Sequence, residues 1–109
     1  MPTFQDREQA FEAKFAHDEE FRFLVAARRD KLFAHWAAAS AKLAPTDEDA
    51  LVAAVLHISN ARGHDAAVLK HIESVLAAHG GSTANLSDAL ASCDREARKQ
   101  LIDHPPATA

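Results

Sequence analysis

Tyrosine is absent from this 109-residue chain, only three residues are glycine, and Cys93 is the single cysteine. Few strand formers and few turn glycines speak against a sheet, and an alanine-rich set of hydrophobic residues favours helix. One cysteine excludes an intramolecular disulfide and fits a reducing compartment. Long apolar runs are missing too. The longest, Ala50 to Leu56, is seven residues, against the roughly 20 that span a bilayer. The first residues lack a basic stretch followed by an apolar one, so no secretory signal is read there, and they are too acidic for a mitochondrial presequence. Basic charge is not in excess. The net charge of −4 resides in residues 1–20, which hold six acids and two bases, while the other residues balance. An acidic leader on a neutral body argues against binding nucleic acid through its phosphates.

What is present is helical periodicity, in four segments. Thr3 can cap the first, with Asp6 completing a capping-box variant. At 100° per residue, Phe4, Phe11, Phe15, Val25, Leu32, Phe33, Trp36 and Leu43 share one band, and Pro45 is expected to end the helix. Thr46 is expected to cap the second segment, whose inner face is Leu51, Val52, Val55, Leu56 and Ile58 and whose C′ residue is Gly63. Asp65 is read as the cap of the third, with Val68, Leu69, Ile72, Val75 and Leu76 inward and Gly80-Gly81 as the stop. Ser82 or Thr83 opens the fourth, with Leu86, Leu90, Cys93, Ala97 and Leu101 on one face. The fold class is all-α: a small four-helix bundle with a long first helix, its short connections favouring antiparallel neighbours.

Length sets the first segment apart. About 40 residues make a helix of roughly 60 Å, whereas the other three reach roughly 21–29 Å each. They can cover about half of it. Phe4, Phe11 and Phe15 therefore lack partners, and the band is interrupted by Asp18, Arg22 and Arg29, which read as the edge of the core. The domain reading is a leader at 1–17, mobile when free, a bundle at 18–104 and a loose tail at 105–109. Three buried phenylalanines supply about 4.5–9 kcal/mol, less than the roughly 14–28 kcal/mol of backbone entropy lost on ordering such a leader. A deep partner cleft and charge-assisted contacts by Arg7, Glu8, Glu12 and Lys14 are needed as well.

Residues able to carry chemistry are scattered. His57, His64 and His71 recur every seven residues, but Gly63 intervenes and no paired ligand motif accompanies them. They read as surface or rim histidines. Cys93 reads as a small core residue. Arg28, Arg29 and Lys31 form a basic cluster that reads as solvated surface, or as a counterpart to an acidic partner. Neither a phosphate loop nor a nucleophile elbow occurs. No enzyme and no cofactor is indicated.

The run F-x-D-R-E-x-A-F-E-x-K-F-A-H-D-E-E, from Phe4 to Glu20, resembles the start of the alphaproteobacterial ζ subunit, the inhibitor of the F1 part of ATP synthase. The likeness continues through Phe23, Arg28-Arg29, Lys31-Leu32 and Trp36-Ala37-Ala38. It implies a four-helix bundle, monomeric when free, whose N-terminal segment enters a catalytic α/β interface near the central γ stalk, folds there as a helix and blocks hydrolysis. By that pattern Phe4, Asp6, Arg7, Glu8, Phe11, Glu12, Lys14, Phe15, Ala16 and His17 are the contacts. Asp18, Glu19, Arg28 and Arg29 extend the docking surface or the junction. Localisation would be cytoplasmic, peripheral on the inner membrane through ATP synthase. The stretch Ser59-Asn60-Ala61-Arg62-Gly63-His64 departs from the family, which is acidic before its glycine. A second reading is a bundle that binds or senses a small molecule such as a nucleotide, with the leader packed on itself.

Overall fold

The computed structural model describes residues 19–104. They form four helices and, among the described residues, no strand: α1 (Glu19–Ala41), α2 (Pro45–Leu56), α3 (His64–Ala78) and α4 (Leu86–Asp103). The expected all-α four-helix architecture is what is found. The Phe4, Phe11 and Phe15 stripe, the interruption at Asp18 and the tail lie outside the described residues.

Helix α1 is the spine. Helices α4 and α2 pack on it most extensively, α3 less so. Side-chain pairs give the directions. Phe21 and Val25 meet Leu101 and Ala97, whereas Phe33 joins Leu90 and Leu86, so α4 runs antiparallel to α1. Leu51, Val55, Val68, Ile72 and Leu76 complete the larger apolar cluster. Burying a side chain of this size contributes about 1.5–3 kcal/mol. Of the inner faces read from helical spacing in α3 and α4, Val68, Ile72, Leu76, Leu86, Leu90, Ala97 and Leu101 are buried, because i, i+4 and i+8 fall on one side of a helix, while Leu69 and Val75 are partly buried. Cys93 packs partly buried against the larger cluster.

Several boundaries differ from the sequence reading. Helix α1 stops before Pro45, in a left-handed cap at Lys42 (φ 54°). The Lys42 amide donates to the Ala39 carbonyl at 3.2 Å and the Leu43 amide to that of Ala38 at 3.0 Å, which satisfies carbonyls the helix end would leave bare. Pro45 instead opens α2, where its missing N–H costs nothing; Ala44 is the N-cap, and Thr46 lies inside the helix. Gly63 (φ 86°) is the N-cap of α3 and not the C′ residue of α2, and Asp65 sits in the first turn of α3. Asn85 (φ 61°), not Ser82 or Thr83, precedes α4. Gly80 and Gly81 do stop α3: the Gly81 amide donates to the Leu76 carbonyl at 2.7 Å.

Two inward assignments also change. Leu56 is 46% exposed. Trp36 lies at the rim, stacked on buried Phe33 with centroids 5.6 Å apart. Nor is the polar break at Arg29 the edge of the core, because the cluster of Phe21, Val25, Ala97 and Leu101 lies beyond it. Arg29 and Asp30 form a polar layer between two apolar ones.

Candidate functional site

A cation on the buried stripe of a helix must be paired, since an isolated buried charge costs several kcal/mol. Arg29 and Asp30 are 8% and 3% exposed, and each finds its partner on α3. The guanidinium of Arg29 forks onto the Asp65 carboxylate, Nη2 donating to Oδ1 at 2.8 Å and Nη1 to Oδ2 at 3.4 Å. Its Nε donates to Oδ1 of Asp30 at 3.0 Å. The other oxygen of Asp30 faces His64 Nε2 at 2.6 Å, and His64 Nδ1 faces the Ser59 carbonyl oxygen at 2.8 Å.

Both ring nitrogens of His64 therefore meet acceptors. A neutral imidazole has one N–H and satisfies only one of them; the imidazolium satisfies both. Burial works against the charge, but the Asp30 hydrogen bond, the Ser59 carbonyl and the Asp30 charge outweigh it and raise the His64 pKa, with Arg29 opposing. Asp30 supplies what the position withholds, because His64 is the first residue of α3, where the helix dipole disfavours a cation. Arg29 is governed likewise: burial lowers its pKa, and Asp65 and Asp30 together raise it. Cys93 has its thiol pKa pushed up by burial, against a smaller opposing effect of Arg29. No buried side-chain polar atom among the described residues is left unpaired.

Such a set is a clamp rather than a reaction centre. It fixes the start of α3 and the loop before it to the middle of α1. Among the described residues no group of three or more His, Cys, Asp or Glu side chains is placed to hold a metal ion. None of the helices, among the described residues, is long and apolar enough to cross a membrane.

A family model described as ATPase inhibitor subunit zeta matches residues 1–100. The chain belongs to that family. No curated protein and no solved structure matches the chain. The matched range takes in residues 1–18, before α1, and nearly the whole bundle of this zeta-family chain.

Of the residues assigned to partner contact, Phe4 through Asp18 lie outside the described residues, and Glu19 opens α1. Arg28 is exposed, its Nη1 donating to Oε1 of Gln100 at 3.1 Å. Arg29 turns inward and is engaged by Asp30 and Asp65. The basic cluster read as surface is thus divided between two faces of α1. His64, read with the scattered histidines, has a side chain only 12% exposed and ties two helices. The signal that pointed toward this network was Arg29 within an otherwise apolar band; its distant partner Asp65, and His64 opposite Asp30, had no mark in the sequence as members of it.

Proposed function

We propose that this chain is a non-catalytic regulatory subunit that blocks ATP hydrolysis by F1-ATPase, residues 1–17 inserting as a helix into a catalytic α/β interface beside the central γ stalk. The single observation that carries the reading is the family match, which spans leader and bundle together. The physical argument is that the leader is the part of the chain with both an aromatic stripe and excess acid.

The bundle then serves as a handle. Helix α1 begins at Glu19, directly after the leader, and is clamped at Arg29 and Asp30 to α3. A leader that folds as an extension of α1 inherits a fixed direction and a fixed rotational phase. Insertion occurs while an interface is open and is trapped on closure. Because the rotor takes its interfaces through opposite orders in the two directions, such a wedge stops hydrolysis and is expelled during synthesis. In the cell this places the chain on the cytoplasmic side of the inner membrane, held there by ATP synthase.

The test is ATP hydrolysis by purified F1 of the same organism, with the full-length chain and with a chain lacking residues 1–17. Inhibition by the first alone places function in the leader. The folded Phe11→Asp variant should then inhibit at least tenfold more weakly, as expected for a lost buried aromatic anchor. Absence of inhibition by a folded full-length chain overturns the reading.

A further inference from the structure

The stretch from Ser59 to His64, which departs from the family pattern, is also the stretch that carries the outer end of the clamp. It joins α2 to α3, and residues 59–63 are all exposed. Ile58, just before them, packs against the core. The hydrogen bonds within the loop are local: the Ala61 amide donates to Ser59 Oγ at 3.2 Å and the His64 amide to the Ala61 carbonyl at 3.1 Å. Among the described residues, the loop is hydrogen-bonded to α1 by a single route. The Ser59 carbonyl oxygen meets His64 Nδ1 at 2.8 Å, and His64 Nε2 meets Asp30 Oδ2 at 2.6 Å.

That route passes through one ring, which needs two N–H groups to hold both ends. When the ring loses a proton, the remaining N–H stays with Asp30, because a hydrogen bond to a carboxylate is roughly twice as strong as one to a neutral carbonyl. Nδ1 then turns a lone pair on the Ser59 oxygen, and two acceptors with no proton between them repel. Water takes the place of the ring at this exposed carbonyl. The fork between Arg29 and Asp65 does not involve the ring, so α3 keeps its hold on α1 while the loop parts from it. We propose that residues 59–63 form a proton-gated flap, closed toward α1 while His64 is an imidazolium and released when the ring gives up one proton.

The groups around the ring set the direction of the gate. Burial opposes the imidazolium; the Asp30 hydrogen bond, the Ser59 carbonyl and the Asp30 charge prevail over it, with Arg29 opposing. On α3 the neighbouring Asp65 is taken up by Arg29. Asp94 and Arg95 of α4 share a depression with Arg29 and Asp65, and Arg22 of α1 lines another with His64. Release therefore grows as pH rises above the ordinary histidine value of 6.5. It reshapes the second depression, of about 390 Å³, where Asn60 and His64 adjoin Phe23, 54% exposed.

The gate does not rest on the inhibitory reading, and the experiment uses the full-length chain alone. The His64 ring nitrogens are titrated by NMR while amide exchange is followed at Ala61 and His64, each rate divided by that of an unstructured peptide of the same sequence. The corrected exchange should quicken about tenfold from about pH 6 to about pH 8, the change carried by one unit of pKa, in step with the ring titration. A flap exposes little surface, so low concentrations of urea should leave this exchange unchanged. Folded His64→Gln should lose the pH step, because its amide does not titrate. Exchange that stays flat with pH in the unaltered chain overturns the proposal. So does a step out of register with the ring, or one that persists in folded His64→Gln. Exchange that rises with urea together with that of the Ile72 amide, in the middle of α3, also overturns it, because the loop then opens only with the whole bundle.

Discussion

Arg28 and Arg29 are neighbours with the same guanidinium, and the fold gives them opposite surroundings. Arg28 lies exposed and meets an amide; Arg29 is buried and meets two carboxylates. One residue along a helix is a rotation of 100°, enough to cross from the surface to the core. Charge content alone therefore does not say what a basic cluster does. The face does. On the inner face a cation has to be matched atom by atom, and the match fixes a helix end; on the outer face it stays available for a partner.

The largest expected effect comes from breaking the inner match. Asp30→Ala removes the shared acceptor of Arg29 and His64, both of which face low-exposure surroundings. Leaving a buried charge wholly unpaired costs about 3–5 kcal/mol; Arg29 keeps Asp65 and His64 can release its proton, so the loss should be about 2–3 kcal/mol. A urea titration should show the midpoint falling steeply with an unchanged slope. A loss below about 1 kcal/mol would mean that Arg29 and His64 relax into water, and the contrast between the two arginines would lose its energetic basis.

A smaller and more specific effect comes from pH. His64 has a raised pKa in the folded chain, so folding favours its protonated form. The associated stability is fully present below the ordinary value of 6.5 and is lost as pH rises through the folded-state pKa. Unfolding midpoints of the unaltered chain should therefore decline from pH 6.5 upward. In His64→Gln the decline should be shallower, because the amide does not titrate. Equal slopes in the two proteins would remove His64 from the account of pH dependence.

The division between the two faces also explains how much could be read from the sequence. Apolar faces were legible because burial repeats with the helix: Val68, Ile72 and Leu76 stand four apart, and all three are buried. Helix ends were harder. Pro45 suits the first position of a helix as well as the stretch after one, and Gly63 suits either side of one, so residue type left the choice open. Lys42 takes a left-handed conformation more common for glycine, and only the hydrogen bonds around it reveal why. The clamp was least legible, since the distance from Asp30 to His64 along the chain hides that they meet. Arg29 within the apolar band was a visible demand for a partner, without an address.

The smallest effect tests the outer face. Arg28→Ala deletes one exposed hydrogen bond to Gln100. Exposed pairs of this kind are worth about 0–1 kcal/mol, so stability should move by no more than about 0.5 kcal/mol and the pH profile should keep its shape. A variant that barely changes the bundle would separate the two arginines, one holding the fold and the other lying outside what holds it. A large loss of stability would instead place Arg28 with Arg29 among the groups that hold α1 to its neighbours.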